Sequence, residues 1–272
     1  MSRLHRLGFD VRSIDVLGVR VDDVTLSQAL DVCLACVRSG EPHQVVTPNA
    51  EFVMAARRDP AFRKILNNAT LAIPDGAGLL LAGRLLGTPL REQVAGTDLA
   101  AGLAGRCAQE GYRIFLLGAA PGVADLAARR LRERYPALIV AGTFPGSADP
   151  SADEDTRAVL RQTGGVDVIL VAYGAKRQEA WIDRNQAALG IPLAIGVGGA
   201  LDFFSGQVPR APLLMRRAGL DWLFRLVVQP WRWRRQLALP RFVIAVAAES
   251  LRRRPGSGPH PSAGSDPDDP PP

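Results

Sequence analysis

The sequence predicts an α/β fold with a mainly parallel sheet flanked by helices, followed by a basic helical appendage. Three observations carry this. Short, continuously apolar runs such as Val166 to Ala172 alternate with helical patterns, as expected for strands buried on both faces. The runs end in turns rich in glycine, proline and aspartate, and a helix follows most of them, which is a Rossmann-like order. Beyond Gly206 the composition changes: up to Arg254, eleven arginines face only Asp221 and Glu249, a local charge of +9 in a chain whose total is +6. Residues 1–205 are therefore expected to form the α/β core and 206–254 a Trp/Arg-rich appendage. The last eighteen residues, with seven prolines, read as a disordered tail over 255–272.

Taken in order, Asp15 to Val24 reads as a strand or hairpin leading into a helix capped near Thr25 or Ser27. Gln44 to Val46 is a strand that delivers Thr47, and helices follow over Glu51–Asp59 and Pro60–Ala69. Thr70 to Ile73 is a strand that delivers Asp75. Gly78 to Leu86 reads as a buried helix closed by Gly87 and Pro89, and Val94 to Asp98 caps a helix over Leu99–Glu110. The second half alternates more plainly. Strands are expected at Tyr112–Leu117, Leu138–Thr143, Val166–Ala172 and Pro192–Val197, and helices at Val123–Tyr135, Asp153–Thr163 and Gln178–Leu189.

At 272 residues and 47% hydrophobic content, the chain suffices for one large core with an appendage. The longest apolar stretch near the C-terminus, Phe242 to Ala248, falls far short of the roughly 20 residues of a membrane span. Met1 to Asp10 lacks the apolar centre of a signal peptide, and three cysteines make a poor disulfide framework, so a cytoplasmic location is expected. Cys33 and Cys36 form a C-x-x-C inside a helical pattern with no second pair, and they read as small apolar helix residues. His5, His43 and His260 are scattered, so no metal site and no cofactor is predicted.

Four stretches could carry chemistry. Thr47-Pro48-Asn49 and Pro74-Asp75-Gly76 each end a strand, where ligands bind in open α/β sheets. Asp75 reads as a general base, a helix cap, or both. A helix N-terminus holds it as the carboxylate that a base requires. Gly118 to Gly122 is a phosphate cradle or a plain tight turn. It lacks the G-x-G-x-x-G spacing, and no acidic residue ends the next strand, which argues against a nicotinamide dinucleotide. Gly196-Val-Gly198-Gly199 reads as close helix–sheet packing or as a backbone cradle, with Asp202 or Gln178-Glu179 holding sugar hydroxyls. In the appendage, arginines beside tryptophans fit an anionic membrane surface, a nucleic acid, or a helix docked on the core with a solvated basic face.

In order along the chain, Thr47-Pro-Asn-Ala-Glu51, Pro74-Asp-Gly76, Val94-Ala-Gly-Thr-Asp-Leu99, Gln178-Glu179 with Trp181, Gly196 to Phe203, and Arg210-Ala-Pro212 with Gly219 to Leu226 resemble the WecG/TagA/CpsF glycosyltransferases. The resemblance spans about Val16 to Val246. It implies metal-independent, inverting transfer of an N-acetylhexosamine-type sugar, such as N-acetylmannosamine or its uronic acid. The donor would be a UDP-sugar, and the acceptor a polyprenyl-diphosphate-linked saccharide used in cell-surface polymer synthesis. It implies Asp75 as base, with Thr47 and Asn49 in the catalytic set. Gly76, Gln178, Glu179, Gly118, Gly198, Gly199, Asp202 and Arg91 are the substrate-binding candidates. Arg216, Arg217, Arg225 and Arg232 would meet the inner membrane face or the leaving group. Two positions depart from the family pattern: Gln93 stands where arginine is frequent, with Arg91 as the nearest substitute, and Lys176-Arg177 stands where Pro-Lys is frequent. Partners are then the donor, the lipid acceptor and the membrane surface, with no nucleic acid; self-association is left open. The alternative is a nucleotide-binding protein whose basic end binds nucleic acid.

Overall fold

A computed structural model describes residues 3–212, 214–215, 221–228, 230 and 237–253. Among them, six strands form one parallel sheet in the order β4-β3-β8-β7-β5-β6. The strands are β3 (His43–Val46), β4 (Leu71–Ala72), β5 (Arg113–Gly118), β6 (Ile139–Phe144), β7 (Val168–Ala172) and β8 (Leu193–Gly196). A separate hairpin pairs β1 (Ser13–Val16) with β2 (Val19–Asp22). The central strands are buried almost throughout, whereas the edge strand β6 is half-exposed along its length. That contrast explains why the central strands read as unbroken apolar runs.

Side chains alternate across the sheet. Ile114, Leu116, Val168, Leu170, Leu193 and Ile195 face a core under α2 (Leu26–Ser39), α6 (Gly96–Glu110) and α7 (Val123–Arg134). Phe115, Leu117, Ile169 and Val171 face the opposite core, under α8 (Asp153–Arg161) and α9 (Ala175–Leu189), where Trp181 is fully buried. A third cluster joins the hairpin to α3 (Ala50–Ala56), α4 (Pro60–Asn68) and α5 (Ala77–Leu85).

The C-terminal stretch is not detached from this core. Helix α12 (Ala238–Arg253) buries Phe242 and Val246 in the third cluster, against α3 and α5. The short helices α10 (Ala200–Phe204) and α11 (Asp221–Val228) precede it, and α1 (Arg3–Arg6) lies at the other end. Arg216, Arg217, Arg232 and the expected tail over 255–272 lie outside the described residues, as does the side chain of Arg225.

Candidate active site

The strands β3, β4, β8 and β7 end on one side of the sheet, and the loops that leave them line a cavity of about 880 Å³. Backbone hydrogen bonds join those loops. Ile73 N–H donates to the Val46 carbonyl at 3.0 Å, and Val94 N–H to that of Pro74 at 2.9 Å. On the other side, Val197 N–H donates to Val171 at 2.9 Å. The β3 loop is tied to the β8 loop by the Thr47 hydroxyl, which donates to the Gly196 carbonyl at 3.4 Å.

Asp75 lines the cavity one residue before the N-cap of α5. The cap is Gly76, at φ 96°, a backbone angle that glycine tolerates. The N-cap position itself is thus held by Gly76, with Asp75 immediately before it. Asn49 caps α3: its side-chain oxygen accepts from Phe52 N–H at 3.0 Å. Its amide nitrogen remains as the donor end of a residue that lines the cavity.

Three helices, α5, α6 and α9, begin at the cavity with Gly76, Ala95 and Gly174 as N-caps, none of which supplies a side-chain cap. By contrast, Thr25 and Asp59 cap α2 and α4. Uncapped N-termini present N–H donors and positive dipole ends to whatever fills the cavity, an arrangement suited to an anion. Arg210 stands beside the α6 N-terminus with its charge paired to a carboxylate. Its Nη2 donates to Thr97 Oγ1 at 3.0 Å and pairs with Asp98 Oδ1 at 2.9 Å, both in the first turn of α6. Leu80, Leu239, Val243 and Trp222 give part of the wall an apolar surface. Among the described residues no group of three His, Cys, Asp or Glu side chains is placed to hold a metal ion, and no helix is long and apolar enough to cross a membrane.

The sequence model of the glycosyl transferase WecG/TagA/CpsF family matches residues 14–256. The chain belongs to this family. It is similar to N-acetylglucosaminyldiphosphoundecaprenol N-acetyl-beta-D-mannosaminyltransferases from three bacteria. It is 34% identical to that of Bacillus spizizenii over 204 residues, 74% of this chain and 77% of the relative. It is 32% identical to that of Bacillus subtilis, over 77% and 81% of the two chains. The Staphylococcus aureus protein is 29% identical over 86% of this chain and 92% of its own.

In this glycosyltransferase the fold brings Thr47, Asn49, Asp75, Gly76, Arg91, Gln178, Gly198 and Gly199 to one cavity. Arg91 is anchored at its rim, because its backbone N–H and Nε reach the two carboxylate oxygens of Asp23 at 2.8 and 3.2 Å. Burial would raise the Asp23 carboxyl, but hydrogen bonds from Arg91 and Arg12 outweigh it and hold Asp23 below the ordinary range. Gln93, which replaces the frequent arginine, also lines the cavity. Lys176 does not; it turns to Asp59 at 2.6 Å and lies over the Phe62 ring.

Three candidates lie elsewhere. Gly118 is at the end of β5, outside the cavity lining. A Cβ there would fall 2.8 Å from the Ala172 backbone, so close strand packing accounts for the glycine. Asp202 sits in the first turn of α10, beside Gly199 but outside the lining. Glu179 is sealed behind the cavity, where burial pushes its carboxyl up to about 7 despite hydrogen bonds from Gln178 and Gln44. Conversely, the sequence shows Arg210 only as part of Arg210-Ala-Pro212, and Asp98 only within Val94 to Leu99, as a helix cap and a family-like stretch, with no role given to either in the site.

Proposed function

We propose that this glycosyltransferase moves N-acetylmannosamine from its UDP-sugar to N-acetylglucosaminyl-diphosphoundecaprenol in a single inverting displacement that needs no metal ion. Asp75 takes the proton of the acceptor hydroxyl as that oxygen bonds to the anomeric carbon. The bond from the anomeric carbon to the phosphate oxygen breaks, and UDP leaves with the electron pair. A positioned base contributes about 100- to 10,000-fold. The observation that carries the reading is the meeting of Asp75 with three uncapped helix N-termini and Arg210 in one cavity. The helix N-termini, with Arg210 beside them, answer the charge that develops on the departing diphosphate.

The sugar and acceptor come from the names of the relatives. The apolar part of the wall suits the first prenyl units of such an acceptor. On α12, Ile244 and Leu251 lie one heptad apart and are 70% and 68% exposed, with Arg241 and Arg252 close in sequence. An exposed apolar stripe with arginines is the pattern of a helix lying on an anionic bilayer. We place the enzyme on the cytoplasmic face as a peripheral protein, where Arg216, Arg217, Arg225 and Arg232 would add charge.

The test is a panel of UDP-sugars, each incubated with the lipid-diphosphate acceptor, with and without EDTA, and scored by mass spectrometry. Disaccharide-lipid is expected from UDP-N-acetylmannosamine in both conditions. Product only from another sugar would overturn the donor, and loss of product in EDTA would overturn metal independence.

A further inference from the structure

We infer that Glu179 is a positioning residue that acts through Gln178 to hold the Gly196–Gly199 turn in the shape the donor meets. The inference rests on the proposed function in taking a nucleotide sugar as the ligand of that turn. Its geometry does not depend on the ligand. Gly198 N–H can only donate, so the end of Gln178 that faces it, at 3.0 Å, is the carbonyl oxygen. The amide nitrogen of Gln178 is therefore turned to Glu179 Oε1, also at 3.0 Å. The second carboxylate oxygen accepts from Gln44 Nε2, on β3, at 2.7 Å. One carboxylate thus ties β3 to the turn after β8 through two glutamines that lie 135 and 1 residues away in sequence.

Burial makes the arrangement strict. Glu179 is fully buried and Gln178 is 1% exposed, so solvent does not replace a lost partner. The pair also packs against the turn itself. A Cβ on Gly196 would lie 2.0 Å from Glu179 Oε1 and 2.5 Å from Gln178 Nε2, so the carboxylate occupies the space that the missing side chain leaves. On its other side the same residue is held by Thr47. The carboxylate therefore lies behind the turn and outside the cavity lining, and a sugar hydroxyl in the cavity meets the turn, not Glu179.

What the arrangement requires of residue 179 is an acceptor at one point, not a charge. Glutamine supplies it: its carbonyl faces Gln178, and its NH2 faces Gln44, whose amide turns over to offer oxygen. Methionine fills similar space without an acceptor. The experiment compares Glu179→Met and Glu179→Gln in the full chain by steady-state kinetics and by hydrogen–deuterium exchange over residues 193–201. Glu179→Met is expected to raise the donor KM about tenfold with kcat within about twofold, because the turn binds ground and transition states alike. Exchange at the Gly198 amide speeds up, and Glu179→Gln restores both readouts. A loss of folded protein alone would lower kcat at unchanged KM. Should Glu179→Met not fold, Glu179→Asp draws the acceptor back by one methylene and gives the same split in lesser degree. Equal impairment by Gln and Met, or unchanged exchange in the variant that removes or withdraws the acceptor, overturns the inference. Faster exchange, rescued by Gln, with no change in donor KM leaves the anchoring standing and overturns the nucleotide-sugar reading instead.

Discussion

The backbone N–H of Asp75 donates to the carbonyl of Pro48 at 3.0 Å. The loop after β4 is thereby hung on the loop after β3, and Asp75 is placed by its main chain. That tie runs through the main chain and survives a change of side chain. Asp75→Asn is accordingly expected to fold while kcat falls about 100- to 10,000-fold. Near-normal turnover in a lipid-acceptor assay would remove Asp75 from the role of base.

Gly196→Ala introduces a carbon 2.0 Å from a buried carboxylate oxygen, so either α9 or the turn has to move. Overpacking of this kind typically costs about 1–3 kcal/mol. The variant should melt lower than the parent and bind UDP more weakly, measured by calorimetry. Unaltered UDP affinity would detach the turn from donor binding.

Much of this fold could be read from the chain because buried parallel strands carry their signature locally: Val166 to Ala172 and Pro192 to Val197 sit within a few residues of β7 and β8. Contacts between distant segments could not be read. Helix α6 starts at Gly96, not Leu99, because Ala95 is its N-cap and Thr97 and Asp98 lie inside the first turn. The glycine fits there because Thr47 approaches to 3.1 Å of where a Cβ would be. Gln178 and Glu179 look alike in sequence, yet neighbours on a helix point about 100° apart, so one reaches the cavity and the other is sealed behind it. Arg210 meets Asp98 across 112 residues, a pairing no local pattern announces. The basic composition after Gly206 allowed a helix docked on the core as one of three readings, and the burial of Phe242 and Val246, one helical turn apart, bears that one out for α12.

That docking alters how membrane attachment should be probed. Truncation after Gly206 would expose the cluster that Phe242 covers, and Phe242→Ala alone is expected to cost about 3–5 kcal/mol in chemical denaturation. Ile244→Asp, on the exposed face, should leave stability within about 0.5 kcal/mol. It should nevertheless reduce sedimentation with phosphatidylglycerol vesicles. Undiminished vesicle binding would move the membrane contact away from α12.

The buried Glu179 also sets a pH dependence. Burial raises its carboxyl from 4.5 to about 7, so between those values the native state holds more protons than the unfolded chain. Stability from this group is therefore largest at acid pH and falls as pH rises through that window. His43 works the other way, since burial lowers its pKa from 6.5. Comparing the parent with Glu179→Gln isolates the first effect. The variant should gain melting temperature relative to the parent at pH 8 and lose that advantage by pH 5. A difference that does not vary with pH would show that Glu179 keeps the same charge throughout.

The cavity walls are drawn from Thr47 at one extreme and Val243 at the other. During synthesis, then, the chamber lacks part of its lining until α12 has emerged and docked. A chain stopped short of that helix would hold an incomplete pocket, and the full enclosure arrives only with the last element to fold onto it.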